Sequence, residues 1–163
     1  MNFRNTRKDA FLNSFPDVAF NSKTCNHAER CKFNFSYFDA SQPAGQDFSD
    51  WTHEQLSKLF VKLKDYGKHP LQYWLTQRCG AGGLKVLEIY GGFPSRSDFK
   101  KPKHVPSDVR WARFRLEGDM RLCGFLIPDD LDGTKSKNNG HFFDGNAFYV
   151  VFLDNSHAFY KTK

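Results

Sequence analysis

The chain of 163 residues is long enough to bury a core and predicts one domain. Aromatic residues make up 17% of it, which excludes an intrinsically disordered protein although 26% of the residues are charged. Twenty-four Lys and Arg against 18 Asp and Glu give a net charge of +6, which favours nucleic acid or an acidic protein groove as partner, while charge alone is equally typical of an ordinary basic surface.

Residues 1–30 are polar and weakly patterned, and we interpret them as an N-terminal arm loosely attached to a single α+β domain that spans residues 1–163. Residues 32–38 (KFNFSYF) then alternate between apolar and polar side chains. This alternation predicts a strand with Phe33, Phe35 and Tyr37 on one face and a solvated opposite face.

Two helices are predicted next. Thr52 and Gln55 have the spacing of a capping box at the start of the first helix. A second, shorter helix is expected from Pro70 to a stop at Gly80, and the short connection makes the pair an antiparallel hairpin. The apolar residues of the two helices recur at helical spacing, and they are Leu56, Leu59, Phe60 and Leu63 in the first and Leu71, Trp74 and Leu75 in the second.

The rest of the chain predicts strands. Residues 84–90, 111–117, 121–127 and 148–154 are apolar or alternating, and Gly118-Asp119 is typical of a tight hairpin turn. Residues 93–108 form a basic, proline-containing loop. The order strand, helix, helix, strands predicts an α+β fold, with the helical hairpin packed on one face of a mostly antiparallel twisted sheet of about four to five strands.

The strand at residues 111–117 suggests a nucleic-acid interface. Its alternation places Ala112, Phe114 and Leu116 toward the core and Trp111, Arg113 and Arg115 on the opposite, exposed face. An exposed Trp beside Arg residues can stack a base next to a phosphate contact. The predicted nucleic-acid-binding residues are Lys100, Lys101, Lys103, Arg110, Trp111, Arg113 and Lys161.

Residues 114–127 (FRLEGDMRLCGFLI) and 147–160 (AFYVVFLDNSHAFY) carry a family resemblance. With the order of the elements, they resemble the RelE/ParE superfamily of bacterial toxins, which pack a helical hairpin on a small twisted sheet. In this resemblance Arg121 matches the arginine that opens a strand of RelE-type ribonucleases. Arg113 and Arg115 match the basic pair of the preceding strand, and His157 and Tyr160 match the C-terminal basic residue and tyrosine.

The resemblance implies RNA cleavage without a metal or other cofactor. A guanidinium group stays charged and holds two phosphate oxygens, so Arg115 and Arg121 are the expected phosphate clamps. His157 or Tyr160 is the expected acid or base for proton transfer. The same residues are also compatible with a solvated sheet face and a packed chain terminus, and the sequence leaves catalysis open.

The expected function is that of a basic protein that engages RNA, with ribosome-associated mRNA as the target and an acidic antitoxin as a further partner. One alternative is a non-catalytic binding protein on the same scaffold, such as a ParE-like topoisomerase inhibitor or an immunity or anti-host factor. Another is an RNA-binding accessory protein. No apolar run approaches the roughly 18 residues of a membrane-spanning helix, and no secretory segment is apparent, so we expect a cytoplasmic protein without a membrane partner.

A zinc site is a weaker alternative. Cys25, His27 and Cys31 lie close together in the sequence, and Cys79 or His69 can supply a fourth ligand of the kind that zinc prefers. Their spacing lacks the paired C-x₂-C of a zinc knuckle, so free thiols are the expected state and no metal is assigned.

Overall fold

The structure is a computed structural model that describes residues 6–14 and 19–161. In this part of the chain it has three α-helices, α1 (Thr6–Asn13), α2 (His53–Tyr66) and α3 (Leu71–Thr76). Residues 1–5 and 15–18 of the predicted N-terminal arm lie outside the described residues, and α1 buries none of its own residues. The strands are β1 (Lys32–Asn34), β2 (Arg78–Cys79), β3 (Leu84–Lys85), β4 (Leu87–Gly91), β5 (Arg110–Arg115), β6 (Arg121–Leu126) and β7 (Ala147–Asp154).

Five strands form one sheet in the order β1-β7-β6-β5-β4, and β2 pairs with β3 in a separate two-stranded sheet. β1 is parallel to β7, whereas the other three pairs of the larger sheet are antiparallel. This architecture agrees with the predicted α+β class and with a mostly antiparallel sheet. In the described residues no helix has the length and apolar character needed to cross a membrane.

Helix α2 begins at the predicted cap. Thr52 accepts a hydrogen bond from the Gln55 amide (3.2 Å), and the Gln55 side chain accepts one from the Thr52 amide (2.9 Å). The buried residues of the helix are Leu59 and Tyr66. Its buried face is narrower than predicted, because Phe60 is 65% exposed. Phe60 lies about 100° around the helix from Leu59, so it points away from the sheet.

Two predicted strands are shorter in the structure. Residues 84–90 are divided at Val86 between β3 and β4, which pair with different partners. β1 ends at Asn34, and the chain then turns, so that Phe33 and Tyr37 pack in different apolar clusters. Gly80 does not end α3; it lies with a φ of 70° between β2 and β3.

Both faces of the sheet are covered, which corrects the expectation of an exposed face. One apolar cluster, the helix-side core, includes Leu59 and Trp74 from the helices and Phe114 from β5. The other cluster, the loop-side core, lies on the opposite face, where residues 93–109 and the C-terminal Phe159 pack over Trp111. All six residues of β6 are therefore buried, and the alternation of β5 separates two cores instead of a core and solvent.

A β-bulge lies in the middle of the sheet, where the register between β6 and β7 shifts at Cys123 and Gly124. A Cβ atom at Gly124 would overlap the carbonyl oxygen of Tyr149 and lie 2.9 Å from the ring of Phe148. The close approach of the two strands therefore requires glycine at this position.

Candidate functional site

A cleft of about 420 Å³ opens at one end of the sheet. Arg115 on β5 is paired with Arg121 on β6, and Arg121 is paired with Asp154 on β7, so three adjacent strands end together here. All four predicted catalytic residues line this cleft, together with Arg113. The lining residues are Leu84, Glu88, Arg113, Arg115, Asp119, Arg121, His157 and Tyr160.

Arg113 is buried, at 6% exposure, and two hydrogen bonds hold its side chain in place. Its Nη2 donates to Glu88 Oε2 (2.7 Å), and its Nε donates to the Tyr90 hydroxyl (2.6 Å). Burial raises the pKa of Tyr90 to about 12, and the neighbouring Arg113 opposes that rise. The tyrosine therefore stays protonated at neutral pH and accepts the hydrogen bond from Arg113 as a neutral hydroxyl.

Arg121 is more deeply buried, at 2% exposure. Its Nη1 donates to the carbonyl oxygens of Gly118 (2.6 Å) and Met120 (2.7 Å) in the β5–β6 turn. Burial, together with the positive charges of Arg115 and Arg113, lowers the pKa of Arg121 to about 10. The guanidinium is still charged at neutral pH, at an energetic cost that an anion in the cleft would relieve.

Some of the arginines that line the cleft have hydrogen-bond donors without a partner in the described part of the chain. Among the residues that the structure describes, Arg113 Nη1, Arg115 Nε and Arg121 Nε are buried without a hydrogen-bond partner. Buried polar nitrogens nearly always have partners, because leaving a charged donor unpaired costs more than leaving a neutral one unpaired. The three nitrogens belong to arginines that line one cleft, and guanidinium groups suit a ligand with several anionic oxygens, such as a phosphate.

His157 enters the cleft from a turn that follows β7. Its φ of 57° is the only positive value among the non-glycine residues described. This backbone conformation costs on the order of 1–3 kcal/mol and persists only where neighbouring contacts enforce it. The contacts come from Asp154, whose carboxylate accepts hydrogen bonds from the amides of Ser156 (3.1 Å), Ala158 (3.0 Å) and Phe159 (2.8 Å).

Tyr160 is attached to the cleft through another aromatic ring. It stacks on Tyr90 with 4.6 Å between the ring centroids and 9° between the planes, and its own surface is 40% exposed. Because Arg113 binds the Tyr90 hydroxyl, Tyr160 and Arg113 are connected through Tyr90. One face of Tyr160 is thus covered by protein.

Several predicted nucleic-acid-binding residues lie elsewhere. Arg110 occupies the opposite end of β5 from Arg115, where it pairs with Asp129 (2.7 Å). Trp111 is 1% exposed within the loop-side core, so its prediction as an exposed base-stacking residue is wrong. The reason is tertiary, because residues 93–109 cover the face on which alternation places it.

The predicted lysines do not line the cleft. Lys161 pairs with Asp98 (2.6 Å), which fastens the C-terminal segment to residues 93–109. The backbone of Lys100 is bound on both sides by the Gln42 side chain (2.7 and 2.8 Å). Lys100, Lys101 and Lys103 are exposed on that loop, so they form a basic surface separate from the cleft.

The candidate zinc ligands do not form a metal site in the part of the chain that the structure describes. The thiol of Cys31 is buried and donates to the carbonyl oxygen of Tyr66 (3.1 Å), and burial raises its pKa to about 11. Residues 6–14 and 19–161 contain no group of three or more His, Cys, Asp or Glu side chains placed to hold a metal ion. The set Cys25, His27, Cys31 and Cys79 is therefore not brought together.

Two candidate functional residues were not predicted from the sequence. Glu88 lies in the short strand β4 and faces the cleft, and Asp154 ends β7. For Asp154 a signal was available, since an Asp followed by Asn-Ser at the end of a strand is typical of a side chain that binds the next backbone amides. No comparable signal marks Glu88, because its role depends on the pairing of β4 with β5.

Comparison with known proteins returned no match to the chain among family models, curated proteins or solved structures.

Proposed function

We propose that the protein binds RNA through this cleft and cleaves it without a metal, as a RelE-like endoribonuclease that acts on ribosome-associated mRNA. In this proposal α2 and α3 are the helical hairpin of the RelE-like scaffold. One observation carries it: Arg115, Arg121, His157 and Tyr160, selected from separate parts of the sequence, line a single cleft. Arg113, Arg115 and Arg121 of this cleft each have one buried guanidinium nitrogen without a hydrogen-bond partner among the described residues.

The charge of the cleft favours a phosphodiester. Three arginines face two carboxylates, Glu88 and Asp119, and Glu88 is already paired with Arg113. A phosphorane carries more negative charge than the bound phosphate, so guanidinium groups fixed in advance stabilise the transition state more than the substrate.

Proton transfer requires two further groups, and the cleft holds both. In the proposed step the Glu88 carboxylate takes the proton of the ribose 2′-hydroxyl, and the 2′-oxygen attacks the adjacent phosphorus. The bond from phosphorus to the 5′-oxygen breaks, and His157 gives a proton to that leaving oxygen. The products are a 2′,3′-cyclic phosphate and a 5′-hydroxyl, and no metal or oxidant takes part.

The test combines growth with RNA mapping. Expression of the wild-type protein is expected to inhibit bacterial growth and to produce cleaved transcripts, whose ends primer extension locates. Arg121→Ala and His157→Ala should abolish both effects, whereas Arg110→Ala, which removes an equal charge far from the cleft, should retain them. Equal inhibition of growth by all four proteins would show that the cleft is not the active site.

A second candidate is a non-catalytic protein that binds a partner protein, such as a ParE-like inhibitor or an immunity or anti-host factor. The observation that favours it is the pair Phe60 and Val61 on α2, which are adjacent and 65% and 66% exposed. An acidic antitoxin would be a third kind of partner, covering the cationic cleft. Intact cellular RNA together with a stable protein complex would support the second candidate over the nuclease.

A further inference from the structure

The carboxylate of Asp154 closes the turn that carries His157. Asp154 is fully buried, at 0% exposure, and its carboxylate accepts hydrogen bonds from three backbone amides, those of Ser156, Ala158 and Phe159. Hydrogen bonds to an ionised acceptor are about twice as strong as neutral ones, so this group of three is a strong local constraint.

The constraint determines where the imidazole lies. His157 is flanked by residues whose amides are bound to Asp154, and its own backbone is left in the left-handed region. Beyond the turn, the carbonyl of Ala158 accepts from the Asp98 amide (3.0 Å) and Phe159 is buried in the loop-side core. With both sides of the turn fastened, the His157 side chain is presented to the cleft and not to the core.

We propose that Asp154 is the positioning residue for His157: its carboxylate holds the turn in which the imidazole faces an anion bound by the arginines. The role of the imidazole as an acid rests on the proposed function, whereas the hold of Asp154 on the turn does not. The arginines are positioned independently, by β5, β6 and the β5–β6 turn.

Asp154→Asn tests this assignment, because the amide keeps the shape of the side chain and loses its charge and one acceptor. Asp39→Asn is the matched control, since Asp39 also accepts from a backbone amide, that of Ser41 (2.9 Å), in a turn that does not line the cleft. Inorganic phosphate is the probe. NMR follows the His157 ring signal and the arginine Nε signals during the titration.

In the wild type and in Asp39→Asn, phosphate is expected to shift the His157 ring signal. In Asp154→Asn we expect that shift to vanish while the phosphate dissociation constant stays within about threefold of the wild-type value, and RNA cleavage to fall at least about tenfold. A His157 response equal to that of the wild type would overturn the assignment. So would a loss of phosphate binding by more than about tenfold, which would show that Asp154 supports the whole cleft.

If Asp154→Asn does not fold or if phosphate does not bind, amide exchange in the wild-type protein tests whether Asp154 holds the turn of His157. The amides of Ala158 and Phe159 should exchange with solvent at least about tenfold more slowly than the same amides in an unfolded chain. Unprotected exchange at both amides would refute the constraint itself. Slow exchange with intact RNA in every assay would instead refute the proposed nuclease while leaving the role of Asp154 in place.

Discussion

Replacing Arg121 with Met provides the sharpest test of the cleft, because it removes one buried charge and keeps most of the side-chain volume. The variant should fold. The lowered pKa of Arg121, about 10 against an ordinary 12.5, means that the folded state disfavours this charge by about 3 kcal/mol. The substitution gains that energy and loses the two hydrogen bonds from Nη1, which are worth about 1.5–3 kcal/mol each. We expect the free energy of unfolding to change by less than about 3 kcal/mol.

Anion binding should suffer much more than folding. One charge-assisted hydrogen bond to a phosphate contributes about 1.5–3 kcal/mol, so Arg121→Met should weaken the binding of inorganic phosphate or a short single-stranded RNA by about 10- to 150-fold. Calorimetric titration at about 0.15 M salt, where the Debye length is about 8 Å, measures the dissociation constants.

Arg110→Met is the matched control for this prediction. Arg110 and Arg115 are five positions apart in β5, a distance of about 17 Å along the strand, and Arg110 is already paired with Asp129. Screening over two Debye lengths should limit its effect on binding to about twofold. If the two variants weaken phosphate or RNA binding equally, the overall positive charge of the protein attracts the ligand, and the prediction that the ligand binds in the cleft is refuted.

Three further predictions concern stability. Because His157 has a φ of 57°, His157→Gly should unfold about 2–4 °C above His157→Ala in a thermal scan, and the reverse order would contradict the strain assigned to this turn. Gly124→Ala should cost at least about 3 kcal/mol in urea unfolding, because its Cβ has no space beside the backbone of Tyr149, and a cost below about 1 kcal/mol would show that the strands can separate. Burial raises the pKa of Cys31 to about 11 and that of Cys123 well above 9.0, so the thiols of the unfolded chain lose their protons first. Stability is therefore complete well below pH 9, and the free energy of unfolding should fall by about 3 kcal/mol by pH 10, which denaturation at each pH would detect. Constant stability over that range would mean that the two thiols are accessible in the folded protein.

Local features of the sequence were sufficient for the elements at which local forces dominate. The capping box of Thr52 and Gln55 lies where its spacing predicts it, since both hydrogen bonds join residues three apart. The hairpin turn at Gly118, with a φ of 50°, likewise depends on one residue that tolerates that conformation. The α+β class follows from the order of such elements.

The sequence by itself also selected Arg115, Arg121, His157 and Tyr160, whose residue types suit phosphate chemistry. It could not determine the surroundings of β5, because alternation identifies two faces but not what covers each of them. The packing of residues 93–109 and of Phe159 decided that Trp111 is buried. Likewise, strand pairing brought Glu88 to Arg113, and the end of β7 brought Asp154 to the turn of His157. These contacts join residues far apart in the chain or depend on how the sheet ends, and so the tertiary structure alone assembled the cleft.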